Sequence, residues 1–456
     1  MNIFWHRRDL RLRDNRGLTM AARDGDVLPV FVVEDALLRG LGDRQRAFFF
    51  AGLDALREEY RERGGDLLVR RGDPARTLAA VRESFDADTV YYNRCYQPAR
   101  CNRERRVDRR FPTVAATDTV LVDPGDLAPS YPSHSRFHDD WSARPKPDPV
   151  PAPDPERLVD PGEESSLPSE AADIDLPPAG YEAARARYDQ FLADGIETYA
   201  DTRDDLSAAV ERPVGAVSRL SPYLAAGMIG IREVWADATG RYESVAGDAR
   251  RNVEKFRYEL TWREANYHLL ASDPGLLSKN HREMPNPIAW RDVDSEFERW
   301  QRGETGYPLV DAGMRQLERE GYVHNRPRQV VASFLTKHLL VDWRKGARHF
   351  EDRLVDHDAA VNYGNWQWIA STGTDTVDVR IFDPVAQASK YDPNADYVHE
   401  YVPELRDVPA REVVEWPTLD GSERRRLAPD YPDPVVDRNA AYDRAQRVFE
   451  TALGKR

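Results

Sequence analysis

The sequence predicts an α/β domain built on an open parallel sheet, Rossmann-like, followed by an all-α domain. Three observations carry this. In the first third, five short runs rich in β-branched and aromatic residues alternate with amphipathic stretches of helix length. Between residues 143 and 180, Pro, Asp, Glu and Ser crowd out both periodicities. Beyond that point apolar residues recur at helical spacing. Strands separated by helices imply right-handed crossovers, and therefore a parallel sheet covered on both faces.

Strands are expected at Asn2–His6, Val27–Val33, Leu67–Arg70, Thr89–Asn93 and Val114–Val122, with helices over Gln45–Arg63 and Pro74–Phe85 among them. These fill an α/β domain over residues 1–142. No GxGxxG follows the first strand, so the usual dinucleotide fingerprint is missing. Residues 143–180 read as an extended linker, because proline has no N–H to give a helix interior or a central strand. The all-α domain, residues 181–456, is expected to hold helices over Glu182–Asp194, Ala246–Ser272, Leu309–Gly321 and Gln329–Lys345. Helix-free loops are expected at Asn286–Asp294 and Thr372–Lys390.

With 456 residues, 41% of them hydrophobic, the chain has material for a large core. No apolar run approaches the roughly 20 residues of a spanning helix, which excludes a transmembrane protein. The N-terminus places apolar residues before charged ones, the reverse of a secretory signal, so a cytoplasmic location is expected. Cys95 and Cys101 are the only cysteines, which excludes a disulfide scaffold and any four-cysteine metal centre; no metal site is expected. The 79 acidic against 65 basic residues, a net charge of -14, argue at first against a nucleic-acid partner. Lysine, however, occurs only at positions 146, 255, 279, 337, 345, 390 and 455. Scarce lysine with excess carboxylate suits a salt-rich cytoplasm, as in a halophile, so the charge describes the solvent more than the partner.

Several constellations could carry chemistry. Eight of the ten tryptophans lie in the helical domain; singly they read as core residues, and together they could relay an electron to a redox cofactor. Ser218, Leu220 and Ser221 precede an apolar helical stretch, where hydroxyls and free N–H groups either meet an anion or simply cap the helix. Glu259 and Trp262 share a helix face at i and i+3, as Asp358 and Asn362 do at i and i+4. Taken alone, Asp356 and Asp358 read as a solvated helix end.

The segments Gly306–Leu317, His324–Arg328 and Asp356–Trp368, in that order, resemble the cryptochrome/photolyase family. The likeness covers nearly the whole chain. Trp5–Asn15 is similar to the family's opening strand and loop, Ser218–Leu224 to its flavin phosphate loop, Glu259–Glu264 to its lesion-pocket helix and Arg380–Pro384 to the loop after its tryptophan helix. The chain looks most like the class I members, in which photoexcited reduced FAD splits cyclobutane pyrimidine dimers in DNA. The alternatives are a blue-light sensor and a (6-4) photoproduct lyase.

The resemblance implies a monomeric enzyme acting on dimer-containing DNA. It implies FAD held by Tyr199, by the loop Val217, Ser218, Arg219, Leu220 and Ser221, and by Arg328, Asp356, His357, Asp358 and Asn362. Asp356 would pair with Arg328, Asp358 would meet the flavin ring and Asn362 would face its N5. Trp366, Trp343 and Trp290 match the electron-transfer triad, with Trp300 and Trp416 left to the core. The lesion would be read by Glu259, walled by Trp262 and Trp368, and neighboured by Arg263, Asn325 and Gln329, with Arg203 and Arg326 on DNA phosphates. Arg344, Arg380 and Lys390 would extend a positive rim. Gln329 stands where dimer-splitting members usually carry Met, and neither it nor Asn325 is the histidine usual in (6-4) enzymes. Arg100 lies near the place of a folate-binding glutamate, and the Tyr131–Trp141 loop is atypical, so a second, antenna chromophore is left unassigned.

Overall fold

The computed structural model describes residues 1–455 except 39, 164 and 376. Five parallel strands, β1 (Asn2–His6), β2 (Val27–Val33), β3 (Leu68–Arg71), β4 (Val90–Asn93) and β5 (Thr113–Ala116), form one sheet in the order β3-β2-β1-β4-β5. β1 and β2 are buried along their whole length, as expected of central strands covered on both faces. Order reverses between β1 and β4, the crevice where open α/β sheets take ligands at the carboxyl ends of their strands.

The expected fifth strand, Val114–Val122, is shorter. After Ala116 the chain leaves the sheet, and the N–H groups of Leu121 and Val122 go to the buried Glu264 carboxylate (2.9 and 3.4 Å) in place of a neighbouring strand. The interval after residue 143 is extended and strapped to the sheet half: Val159 N–H donates to Val27 (3.0 Å), and Arg44 pairs with Asp173 (2.7 Å).

The second half is helical, and two sequence expectations fail there. The stretch Gln329–Lys345 is not one helix. Asn325–Ser333 runs into a wider π turn, Phe334–His338, Leu340 turns left-handed at φ 55°, and a new helix, Trp343–Arg353, starts with Asp342 accepting from Arg344 N–H. A continuous apolar pattern hid the break, because all of Phe334–Val341 is buried whatever its backbone does. The loop expected over Thr372–Lys390 ends in a helix, Pro384–Tyr391, with Asp383 as N-cap and Pro in the first turn.

The halves are locked together by a buried ionic cluster. Arg232 donates to Asp14 (2.6 Å) and Asp118 (2.5 Å), and Arg11 donates to Asp118 (2.6 Å) and to the Gly227 carbonyl (3.0 Å). Gly227 has φ 72°, and a Cβ there would lie 2.1 Å from the Arg8 carbonyl, so no side chain fits where the halves touch. Burial alone would raise the Asp118 pKa, but Arg11 and Arg232 bring it below the usual carboxylate value. Its contribution to stability is therefore present above the unfolded pKa, near 3.9, and is lost as pH falls through the folded one. Asp118→Ala should cost about 3–5 kcal/mol in urea unfolding, because it strips the buried Arg11 of its paired carboxylate and leaves the buried Arg232 only Asp14. A cost under 1 kcal/mol would mean the cluster does not hold the halves.

Candidate functional site

A hollow of about 320 Å³ lies in the helical half, and three helices face it with the same spacing. The long helix Gly247–Ser272 presents Phe256, Glu259, Leu260 and Arg263. Asn325–Ser333 presents Asn325, Arg328, Gln329 and Ala332, and Ala359–Ala370 presents Val361, Asn362, Asn365, Trp366, Trp368 and Ile369. Recurrence at i, i+3, i+4 and i+7 normally makes a core-facing stripe. Here each stripe mixes polar with apolar residues, so the helices meet around a ligand-sized space. Tyr199, Ser218, Leu220 and Ser221 close a further side, the last opening the short helix Ser221–Ala226.

Two buried polar atoms on the lining, Asp356 Oδ1 and His357 Nδ1, have no partner among the described residues. Asp356 pairs through its other oxygen with Arg328 (2.7 Å), and burial lowers the His357 pKa to about 4, leaving the ring neutral. Asn362 donates one amide N–H to the Ala347 carbonyl (3.0 Å), so its remaining N–H and its oxygen are offered to the hollow. Such a lining can hold an elongated ligand with an anionic stretch by the serines and a planar polar ring by Asn362.

Asp358 is placed by three elements at once. It caps Ala359–Ala370 by accepting from Ala360 and Val361 N–H (3.0 and 3.3 Å), and it accepts from Arg8 at the end of β1 (2.8 Å) and from the Tyr267 hydroxyl of the long helix. Burial alone would raise its pKa, but Arg8, Arg263 and Tyr267 hold it well below the carboxylate range. It is a buried charge and not a solvated helix end. Neither Arg8 nor Tyr267 was visible as a site residue, because nothing in the sequence relates them to Asp358.

Other expected residues fall outside the lining. Val217 is extended and half-buried, and Arg219, at φ 47°, turns away to Glu320 (2.7 Å). Trp262 stands beside the long helix's stripe and meets Trp368 at 6.3 Å and 65°. Trp366 is in ring contact with Trp300 (6.2 Å), the indole expected to be core only, while the fully buried Trp343 lies against Tyr363 (6.2 Å) and Trp290 against Phe449 (5.9 Å). Gly346 makes room for Trp366, since a Cβ there would lie 2.3 Å from its ring.

The expected positive rim is internally neutralised. Arg203 pairs with Glu259, which also takes Lys255 (2.6 Å); Arg326 pairs with Asp204 (2.9 Å) and donates to Gln329 (2.7 Å); Arg344 pairs with Asp342 (3.0 Å) and Arg380 with Asp375 (2.7 Å). Lys390 lies over the Tyr391 ring (4.9 Å). Arg263 donates to the Thr119 carbonyl (2.8 Å).

A second hollow, about 280 Å³, sits at the carboxyl ends of β1 and β2 and shares Ala225 and His357 with the first. Arg7, Arg8, Arg100, Phe48 and Phe49 line it. Burial lowers the Arg100 pKa to about 9, and no carboxylate among the described residues pairs with it. Among the described residues no cluster could hold a metal ion, and no helix is long and apolar enough to cross a membrane.

Two family models match the chain. Residues 2–156 match the DNA photolyase family model, and residues 256–451 match the FAD binding domain of DNA photolyase. The chain is 42% identical to the deoxyribodipyrimidine photo-lyase of Halobacterium salinarum over the whole of both chains. It resembles the structure of an archaeal photolyase from Sulfolobus tokodaii with two FAD molecules (TM-score 0.85, 30% identity, 99% of this chain and 100% of that one). It also resembles a Synechocystis cryptochrome (TM-score 0.89, 27% identity, 98% and 99%).

Asp358→Ala should cost about 3–5 kcal/mol in urea unfolding, since it removes a helix cap and strands Arg8. Asp358→Asn keeps the cap and should cost distinctly less. Equal costs would mean that the cap contributes nothing and that the charge facing Arg8 accounts for the whole effect.

Proposed function

The chain belongs to the DNA photolyase/cryptochrome family and carries its FAD-binding domain, and from that premise we propose that it repairs DNA by splitting cyclobutane pyrimidine dimers under blue or near-ultraviolet light. The residues present fit FAD: serine hydroxyls and helix-start N–H groups suit a diphosphate, and the unpartnered Asp356 and His357 atoms, with the Asn362 oxygen, suit a polar heteroaromatic ring. The observation that carries the reading is that this one lining also holds Glu259, Asn325, Gln329 and Trp368, so cofactor and lesion groups share a wall.

FAD, when bound and fully reduced, supplies light absorption and the electron that the dimer accepts and returns. The chain's residues do the rest. Ser218, Leu220 and Ser221 would hold the diphosphate arm beside Tyr199, with Val217 and Arg219 shaping the loop from outside the lining, while Arg328, Asp356 and His357 would fix the ring and Asp358 the helix beneath it. Asn362, one amide N–H given to Ala347, would offer the ring its remaining N–H and its oxygen. Trp366 gives an electron inward when the cofactor is oxidised, and Trp343 and Trp290 replace it from outside.

On the lesion side, Glu259 and Asn325 bond pyrimidine edges, and Gln329, its oxygen held by Arg326, offers an amide N–H. Trp262 and Trp368 stack on the flipped bases, worth about 1–3 kcal/mol per base in single-strand readers. Enzymes that do chemistry on a base inside a duplex, photolyases among them, first extrude it from the stack, and a pair of aromatic walls is what receives it. Arg203, Arg263 and Arg326 approach the backbone. A second chromophore, which the sequence leaves unidentified, would have its place in the second hollow, between Arg7, Arg8, Arg100, Phe48 and Phe49.

Dimer-containing duplex treated with reduced protein should lose its dimers under blue light and not in the dark; intact dimers in both would favour the sensor reading. Trp366→Phe should slow photoreduction of oxidised cofactor at least tenfold while leaving repair by chemically reduced enzyme within about twofold, a difference of under about 0.5 kcal/mol. Equal loss of both would remove the tryptophans from that role.

A further inference from the structure

The helix His134–Ala143 lines neither hollow, and the atypical loop that contains it has no assigned role. Its residues His134, Phe137, His138 and Trp141 recur at i, i+3, i+4 and i+7 and so share a face, which lies toward the long helix. Trp141 anchors one end by donating its indole N–H to the buried Glu264 (3.1 Å). Two turns earlier, His134 lies flat on Trp262, with ring centroids 3.6 Å apart and planes within 5°.

Both imidazole nitrogens are committed. The Thr261 hydroxyl donates to the Tyr258 carbonyl (2.7 Å), so it accepts from His134 Nε2–H (3.1 Å), and the Tyr258 hydroxyl donates to Nδ1 (3.0 Å). The ring cannot turn without breaking both bonds. Burial lowers its pKa to about 4, so it is neutral at ordinary pH. Trp368 meets Trp262 at 65°, which leaves His134 as its parallel neighbour.

We propose that His134 is a positioning residue for the lesion: by covering one face of the Trp262 indole it holds that ring still and presents the opposite face to a flipped pyrimidine. The proposal rests on the reading of Trp262 as a pocket wall. Its energetic basis is preorganisation, because an aromatic wall already fixed loses less freedom when a base stacks on it.

The test measures affinity for dimer-containing and undamaged duplexes, together with repair at saturating DNA and FAD content, in the wild type and in His134→Ala, His134→Leu, His134→Phe and Trp262→Ala. His134→Ala and His134→Leu should weaken dimer binding about three- to tenfold, the range of an aromatic pair, and leave undamaged-DNA binding, FAD content and repair at saturation unchanged. His134→Phe should restore dimer affinity. Unchanged or tighter dimer binding in His134→Ala, or failure of Phe to restore it, overturns the proposal. Should His134→Ala lose FAD, the contrast between Leu and Phe decides alone. Dimer preference surviving in Trp262→Ala removes the pocket reading itself, and the proposal with it; preference lost there but intact in His134→Ala removes the proposal only.

Discussion

One carboxylate sets the geometry on which the site depends. Asp358 caps through Oδ1 the helix that carries Asn362, Trp366 and Trp368, and its Oδ2 takes Arg8 from the end of β1 and Tyr267 from the long helix. A buried anion with fewer partners would neutralise or drag water inward. With these partners it is satisfied only when the sheet half, the long helix and the capped helix are all in place. The hollow therefore exists as a consequence of the whole fold. The Asp118 cluster repeats the device at the other side of the joint, where Arg11 and Arg232 come from opposite halves.

What the sequence made legible follows from what is local. β1 and β2 stand where periodicity and β-branching put them, and Asp383-Pro384 carried a helix-start signal that a loop reading passed over. The over-long fifth strand and the over-long helix after Gln329 fail for one reason: burial makes apolar runs look continuous, while Glu264 and the turn at Leu340 decide the backbone. In the site, residues joined by helical spacing were readable, such as Asn325 and Gln329 or Asp358 and Asn362. Arg8, Tyr267 and His134 were not, since each reaches the site from a distant segment. Trp300 was read as core; its contact with Trp366 shows that an indole can be core and also adjoin a relay.

The rim changes how the acidic composition should be understood. Arg203, Arg326 and Arg380 each face a carboxylate of this chain, so a DNA phosphate would have to displace Glu259, Asp204 or Asp375 before gaining the cation. These pairs are largely shielded from water, and each reduces the counterion release on which unspecific DNA binding relies. On the proposed function, discrimination falls to the apolar, flat and hydrogen-bonding groups between Trp262 and Trp368, whose contribution salt screens little.

The direct test is a titration of the wild-type protein with dimer-containing and undamaged duplexes across a salt series up to molar concentration. A site that reads the flipped dimer in its pocket predicts that undamaged-DNA binding fades with salt while preference for the dimer persists at molar salt. If the two affinities fall together, each with a slope of about -0.9 per phosphate contact in log salt, and the preference disappears, then specificity comes from the backbone and the pocket is not its source.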